Sequence, residues 1–414
     1  MGMMKIIFKI LKMGELVMHN GKLYWPETYA KKNYKDEIES HYDVVIVGGG
    51  MSGALTAYRV AQAGHNTLLI DKGEIGSASS AANTGLMQYM SDKLLYECVN
   101  DFGELEAYHF YKASKEGLED IETLSKLLDA RVNFIKRDSL FIASTKRDKK
   151  VIKDEYQALK HFDFPVDYVD SEQLEEAYGI KKYNALITHE DAEINPYVFV
   201  NEVVKYAHSN FHLDILENTE LVKYEKKEEQ ILCQLNDRVI ITNKLIMTTG
   251  YAKNKITKRY IHREEFVASY AVVTQPIEEN QFWKDKAMIW ESARPYLYIR
   301  HVPGNRVLIG GLDEKTDKIP NEKHIQKQGK RLIKAFNKLY PDIELEVAYA
   351  YGARFGETKD GKPFIGKIEE DAEVYGLYGY GGNGTAYSSF GSKLLLDMIE
   401  GKYNPLSEIF KLKR

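Results

Sequence analysis

The sequence has no apolar run long enough to cross a bilayer, which takes about eighteen residues or more. It has only two cysteines, Cys98 and Cys233, which lie far apart and form no CxxC pair. This scarcity favours a reducing, cytoplasmic setting over a disulfide framework. A net charge of -4 and the lack of a basic stripe argue against a nucleic-acid partner.

What the chain does have is enough apolar content for a large core. Its 414 residues are 44% hydrophobic, which predicts a globular protein of about two to three domains. Residues 1–18 carry three lysines among apolar side chains. Because these lysines interrupt the apolar core and no small-residue cleavage site follows, the segment is not expected to be a signal peptide.

One segment combines the features of a dinucleotide-binding turn. Residues 43–47 form an apolar strand, and Gly48, Gly50 and Gly53 follow with GxGxxG spacing before an alanine-rich helix. The glycines let the backbone approach a pyrophosphate, and the helix N-terminus presents free N–H groups to it. Asp71 ends the next strand about twenty residues on, where a carboxylate accepts hydrogen bonds from a ribose hydroxyl. The segment predicts an adenine dinucleotide, either FAD or NAD.

Three later segments are typical of loops that approach a nucleotide. Residues 76–86 are small and polar, which suits close contact with a ligand and also suits a flexible linker. Residues 244–250 read as a buried strand ending in a small-residue turn, where ligands of open α/β sheets bind. Residues 379–384 repeat the GxGxxG spacing, but no further strand and acid follow, so we interpret them as a loop that aims a helix at the same cofactor.

A strand over residues 296–300 offers candidate substrate contacts. Period-two geometry places Tyr296, Tyr298 and Arg300 on one face. Such a face can supply aromatic walls and a fixed cation, although a solvent-facing strand whose arginine pairs with a carboxylate has the same pattern.

No metal site is predicted. His208 and His212 have helical spacing but lack the glutamate of an HExxH motif. The acidic stretch over residues 189–193 is interpreted as a solvated turn.

In this order, the segments resemble the D-amino-acid-oxidase-like FAD-dependent oxidoreductases, the group that contains glycine oxidase and sarcosine oxidase. The resemblance covers Trp25 to about Gly401 and includes residues 248–250 and the turn at 358–361. It implies an α/β protein with a Rossmann-like FAD-binding domain, assembled from discontinuous segments, and an α+β substrate domain whose mostly antiparallel sheet roofs the flavin ring. The implied division is residues 1–40 as an N-terminal extension, 41–95, 190–262 and 345–414 as the FAD-binding domain, and 96–189 and 263–344 as the substrate domain.

The resemblance also implies which residues contact FAD. They are Gly48, Gly50, Met51, Ser52, Gly53, Asp71, Lys72, Ser79, Ser80, Asn83, Thr84, Gly85, Leu86, Val222, Thr249, Gly250, Gly381, Gly382, Asn383, Gly384 and Thr385. Many relatives have glutamate at the position of Asp71. Covalent members attach flavin through a cysteine near residues 351–355, where this chain has none, so noncovalent FAD is expected.

The implied reaction is hydride transfer from the carbon of an amine or amino acid to flavin N5, followed by hydrolysis of the imine. Arg300 is the first candidate for binding a substrate carboxylate, with Tyr296 and Tyr298 as walls and Arg354 as the second candidate. The spacing from Arg354 to Thr358 is one residue longer than in glycine-oxidase-like members. The electron acceptor is oxygen or unknown.

Three alternatives stay open at this point. One is a dehydrogenase of the same fold that passes electrons to an acceptor other than oxygen. The others are an NAD(P)H-using flavoprotein reductase and a flavin-binding protein without turnover.

Overall fold

The computed structural model describes residues 18–34, 37–251, 264–368 and 372–414. Residues 1–17 of the N-terminal segment discussed above, and the proposed domain boundary at 262–263, lie outside these ranges. The helices are α1 (Met51–Gln62), α2 (Ser79–Ala82), α3 (Leu95–Phe102), α4 (Glu104–Ser125), α5 (Lys149–His161), α6 (Ser171–Tyr178), α7 (Pro196–Asn210), α8 (Glu322–Leu339), α9 (Gly384–Ile399) and α10 (Leu406–Phe410). Among the described residues, no helix has the length and apolar character needed to cross a membrane.

The strands complete the order of elements. They are β1 (His19–Gly21), β2 (His41–Val47), β3 (Thr67–Ile70), β4 (Leu86–Met87), β5 (Ile135–Ile142), β6 (Val166–Asp170), β7 (Asn184–Glu193), β8 (Leu213–Leu216), β9 (Leu221–Lys227), β10 (Gln230–Leu235), β11 (Val239–Met247), β12 (Glu264–Thr274), β13 (Met288–Glu291), β14 (Leu297–Val302), β15 (Arg306–Lys315), β16 (Val347–Thr358), β17 (Phe364–Lys367) and β18 (Val374–Tyr378).

One sheet, called the parallel sheet here, has the strand order β17-β18-β11-β2-β3-β8. Strands β18, β11, β2, β3 and β8 are parallel, whereas β17 and the β9–β10 hairpin pair antiparallel at its margins. The glycine turn therefore leaves the sheet at the carboxyl end of a central strand. Strand β8 pairs in parallel with β3, whereas β9, β10 and β11 pair antiparallel in chain order.

Strand β2 explains why this sheet is buried on both faces. Val44 and Ile46 pack into one hydrophobic cluster together with α1 and α7, whereas Val45 and Val47 pack into another. A continuous apolar run is what a strand covered on both sides requires. The sequence pattern 43–47 thus places the turn that follows it on a rigid base.

The other sheet, called the antiparallel sheet here, has the order β1-β16-β12-β15-β14-β13-β5-β7-β4, with β6 beside β7. Its pairs are antiparallel except for β13 with β5. The mixed α/β class and the mostly antiparallel second sheet are confirmed. Strand β16 pairs with β12, although the proposed division assigned them to different domains; those domain boundaries stay a prediction.

The acidic stretch over residues 189–193 is solvated at its start, where Glu190 is exposed, but not at Asp191 and Glu193. Asp191 and Glu193 end strand β7 and are 0% and 1% exposed. Asp191 accepts hydrogen bonds from the Tyr89 amide (3.0 Å) and the Thr188 hydroxyl (2.5 Å). Burial raises the pKa of Asp191 to about 7. The interpretation failed because internal partners, which are distant in sequence, compensate the buried carboxylates.

Candidate active site

The glycine turn after β2 is packed too closely for side chains at two of its positions. A Cβ at Gly48, where φ is +106°, would lie 2.4 Å from the Thr248 carbonyl oxygen. A Cβ at Gly53 would lie 1.7 Å from the Gly48 carbonyl oxygen. At Gly50 the nearest atom to an added Cβ is the Ser80 hydroxyl oxygen at 3.4 Å, an ordinary van der Waals contact, so this position is less crowded. The turn is therefore tight on the protein side and accessible on the other.

Asp71 holds this turn from the end of β3. Its carboxylate accepts hydrogen bonds from the amides of Gly49 (2.6 Å) and Gly73 (2.7 Å). Burial raises the pKa of Asp71, while these two donors oppose that shift. The predicted acid is thus beside the predicted glycines, and it fixes the backbone that the glycines form.

A cavity of about 570 Å³ begins at this turn and ends beneath the antiparallel sheet. Residues 78–84, residues 247–251 and the loop at 380–384 contribute to its walls. Three segments far apart in sequence therefore meet around one space, as expected from the small-residue composition of each. The predicted cofactor residues that line it are Gly48, Gly50, Met51, Ser52, Asp71, Lys72, Ser79, Ser80, Asn83, Thr84, Leu86, Thr249, Gly250, Gly381, Gly382, Asn383 and Gly384.

Four predicted cofactor residues do not line the cavity. Gly53 lies within α1 and permits its contact with the turn. Thr385 is buried in α9 and receives a hydrogen bond from Asn83 at 3.4 Å. Gly85, with φ at +73°, lies against Arg300. Val222 is 55% exposed, and its neighbour Leu221 lines the cavity, so contact of Val222 with FAD stays a prediction.

The arrangement of turn, acid and second glycine loop around one cavity agrees with a comparison against protein families. The family described as FAD dependent oxidoreductase matches residues 43–398. The chain belongs to this family. It is therefore an enzyme, and FAD is its cofactor.

Known relatives of this oxidoreductase span nearly its full length. Glycine oxidase of Bacillus subtilis (strain 168) is 23% identical over 376 residues, which cover 88% of this chain and 95% of that protein. Among solved structures, glycine oxidase from Geobacillus kaustophilus superposes with a TM-score of 0.78 at 19% identity, covering 91% of this chain and 99% of the other. L-proline dehydrogenase from P. horikoshii gives 0.75 at 19% identity, with 91% and 98% covered. At these identities the structural likeness shows the fold.

The cavity walls fit a dinucleotide with polar groups along its length. Among the described residues, no hydrogen-bond partner is found for three buried polar atoms of the walls: Gln88 Nε2, Thr249 Oγ1 and Trp290 Nε1. The Asn383 amide donates to the carbonyls of Gln88 (3.0 Å) and Met90 (2.6 Å), which fixes the loop before α9. A bound ligand can satisfy the free donors, and the N-terminus of α9 suits negative charge.

The end beneath the antiparallel sheet is aromatic. The rings of Tyr296 and Tyr298 are 5.8 Å apart, and Trp290 meets Tyr296 edge-on at 6.5 Å. Phe141 stacks on the far side of Trp290 at 4.0 Å. Burial raises the pKa of both tyrosines, so they are neutral near pH 7 and serve as walls and hydrogen-bonding groups. Both predicted tyrosines are therefore in the cavity.

Arg300 is not in the cavity, and this contradicts its predicted contact with a substrate carboxylate. Its side chain is fully buried. The guanidinium donates to the carbonyls of Thr84 (3.2 Å), Gly85 and Ile194 (2.9 Å), and it lies 3.8 Å from Glu193. Arg300 does share a strand face with the tyrosines, but the backbone at residues 84–85 crosses that end of the strand. The alternative reading, an arginine paired with a carboxylate, is closer to what is observed, although the pair is buried.

Arg354 lines the cavity, but its guanidinium already donates hydrogen bonds to backbone carbonyls. Nη1 donates to Asp317 O at 3.0 Å and Nη2 to Tyr251 O at 3.3 Å, and the group lies 4.7 Å from the ring centre of Phe266. These contacts compete with a substrate carboxylate. A carboxylate-binding role for Arg354 stays a prediction.

Several residues near the aromatic end were not anticipated. They are Trp290, Ser269, Phe355, Asp92, Asp313 and Glu357. Alternation along β16 puts Phe355 and Glu357 on one face, so their shared location was accessible to strand reasoning. The pairing of β16 with β12 was not, because it joins segments about ninety residues apart.

Proposed function

We propose that this FAD-dependent oxidoreductase oxidises the carbon–nitrogen bond of a small amine or amino acid. The observation that supports the proposal is the aromatic end of the cavity, where Trp290, Tyr296 and Tyr298 enclose a space continuous with the glycine turn. When bound, FAD supplies the acceptor for the hydride that leaves the carbon beside the nitrogen. Water then hydrolyses the resulting imine.

The residues of the chain contribute mainly position and electrostatics. The three aromatic side chains confine the substrate and limit access of water, which holds the reacting carbon in one orientation. The described lining of the cavity contains no histidine or cysteine. The substrate nitrogen must therefore arrive as the neutral amine or lose its proton to another group. The amides at the start of α9 would stabilise negative charge that develops at the cofactor.

Three finer features belong to the proposal: the attachment of FAD, the cellular setting and the electron acceptor. Cys98 and Cys233 are buried, and neither lines the cavity, which supports noncovalent FAD. The cytoplasmic setting rests on the scarcity of cysteine. The electron acceptor is oxygen or another acceptor, and the relatives include both an oxidase and a dehydrogenase.

The test is an anaerobic screen in which the visible flavin absorbance is followed after addition of amino acids, N-methyl amino acids and polyamines. We expect at least one of these classes to bleach the flavin and NADH to leave it oxidised over the same period. Readmitted oxygen then distinguishes an oxidase, which forms hydrogen peroxide, from a dehydrogenase. Faster bleaching by NADH than by every amine would contradict the proposal, and so would failure of every amine to bleach the flavin.

A further inference from the structure

A second cavity, of about 770 Å³, adjoins the aromatic end of the first. The two share the walls formed by Ser91, Asp92, Tyr296 and residues 381–383. Five acidic residues line this space. Asp101 pairs with Lys93 and Glu97 accepts from the Leu94 amide, which leaves the carboxylates of Asp92, Asp313 and Glu357. We call this space the acidic recess. Because it adjoins the aromatic end, an elongated substrate can extend from one cavity into the other.

A β-bulge places one of these carboxylates. The ladder between β12 and β15 shifts register between Ala268 and Tyr270. Opposite this shift, Leu312 adopts φ of +57°, and Asp313 follows it. Bulges re-aim side chains and are frequent beside active sites. Asp313 thereby belongs to the same wall as Glu357, which strand β16 supplies.

Two carboxylates of the acidic recess, those of Asp313 and Glu357, have no salt-bridge partner among the described residues. Within this part of the chain, Asp313 Oδ1 is buried without a hydrogen-bond partner. The nearest cation to Asp92 is Arg294, at 3.7 Å, and half of the Arg294 side chain is exposed. Burial and the neighbouring carboxylates raise the pKa of Asp313 to about 6 and that of Glu357 to about 7.

The lysines around the recess are engaged elsewhere or exposed. Lys93 pairs with Asp101, and Lys315 lies 3.2 Å from Glu265. Lys359 is exposed at the rim. A cation that enters the recess would therefore find partly desolvated carboxylate oxygens with unused hydrogen-bonding capacity. Charge-assisted hydrogen bonds of this kind are the strong ones in proteins.

A second buried group indicates a ligand at the aromatic end, beside the recess. Trp290 is 4% exposed, and in the described chain its indole Nε1 donates to no acceptor although it lines the aromatic end. Its ring lies 6.5 Å from that of Tyr296, which lines both cavities. The site therefore offers a donor at the aromatic end and acceptors in the recess.

We propose that the acidic recess binds a second ammonium group of the substrate, so that the enzyme acts on a dibasic amine, either a diamine or a basic amino acid. The inference rests on the proposed function, since it places the reacting nitrogen at the aromatic end. The ammonium group compensates Asp313 and Glu357 and favours their ionised forms. A monoamine of equal length leaves these carboxylates uncompensated and binds more weakly.

The experiment compares matched substrates with the holoenzyme under anaerobic conditions. Putrescine is paired with butylamine, and lysine with norleucine, which separates a diamine from a basic amino acid. We expect the dibasic member of one pair to reduce the flavin with about 100-fold greater efficiency at low concentration. Calorimetric titration of pre-reduced holoenzyme, which cannot turn over, should show a similar ratio of dissociation constants.

Substitutions in the recess test whether its carboxylates cause the preference for dibasic amines over monoamines. In the double variant Asp313→Asn, Glu357→Gln the preference should fall to less than about threefold, while reduction by the monoamine persists. Asp101→Asn is the matched control, because Asp101 lines the recess but is already paired with Lys93. It should keep the preference. If the double variant fails to retain FAD, the single variant Glu357→Gln replaces it in the same comparison. The ratio of dibasic amine to monoamine efficiency in wild-type enzyme tests the proposal without any variant.

The outcomes separate the two proposals. Monoamines and dibasic amines that act equally well on wild-type enzyme would overturn the recess proposal and leave amine oxidation intact. An unchanged preference in the double variant would also overturn it. Flavin that no amine reduces would contradict the proposed function, and the recess proposal with it.

Discussion

Replacing Gly53 by alanine is expected to give a folded protein that retains little FAD. The new Cβ would lie 1.7 Å from the Gly48 carbonyl oxygen and 2.9 Å from Thr248 Oγ1. Helix α1 must then move away from the turn, and its N-terminal amides no longer point at the cofactor. Overpacking of this kind costs about 1–3 kcal/mol, and misplaced amides add to it, so FAD should bind about 100-fold more weakly. The ratio of bound flavin to protein after gel filtration, and a fluorescence titration with FAD, measure the effect.

Gly64→Ala is the control for this substitution. Gly64 follows the same helix with φ of +94°, and no atom lies within 4 Å of the added Cβ. The change strains the backbone by about 1–2 kcal/mol without touching the turn, so stability should fall while FAD affinity stays at the wild-type value. Equal loss of FAD in both variants would indicate that a weakened α1, and not the contact with the turn, causes the loss. Wild-type affinity in Gly53→Ala would contradict the role of the turn.

Arg300→Met is expected to lower the free energy of unfolding by about 3 kcal/mol, because buried Glu193 loses one of its two arginine partners and keeps Arg137 at 3.2 Å. Burial would raise the pKa of Glu193, but the charge of Arg300 contributes to holding it below its usual value. The carbonyls of Thr84, Gly85 and Ile194 also lose their donor. Denaturant unfolding of wild type and variant measures the difference. Because Arg300 does not line the cavity, the folded fraction should keep its affinity for substrate.

Arg131→Met is the matched control. Arg131 pairs with Asp129 at 2.9 Å, but more than half of its side chain is exposed. Exposed pairs contribute little, so the stability of this variant should stay close to that of wild type. A stable Arg300→Met protein with impaired substrate binding would contradict the structural role and restore Arg300 as a substrate contact.

The features that sequence reasoning predicted well are those whose parts are close in the chain. Gly48, Gly50 and Gly53 follow one strand, and Asp71 ends the next, so a single βαβ unit dictates their proximity. Their observed geometry agrees with that pattern. The antiparallel character of the second sheet was also predicted, but from the family resemblance and not from strand periodicity.

The features that sequence reasoning missed depend on which segments meet. Alternation along β14 predicts the face of Arg300, but it contains no information that residues 84–85 cover that face. Leu221, which was not predicted, lines the cavity next to Val222, because periodicity alone does not set the register of a strand. The acidic recess depends on the bulge beside Asp313 and on the pairing of distant strands, so no local sequence pattern predicts it.

Cleavage of a carbon–nitrogen bond by this enzyme can be measured directly. In a single anaerobic turnover with an amine that bleaches the flavin, the products are quantified against the flavin reduced. We predict one carbonyl compound and one released ammonia or amine for each flavin, and slower reduction when the carbon beside the nitrogen carries deuterium. Stoichiometric reduction of the flavin with the substrate nitrogen still bound to the same carbon after aqueous work-up would contradict the proposed function.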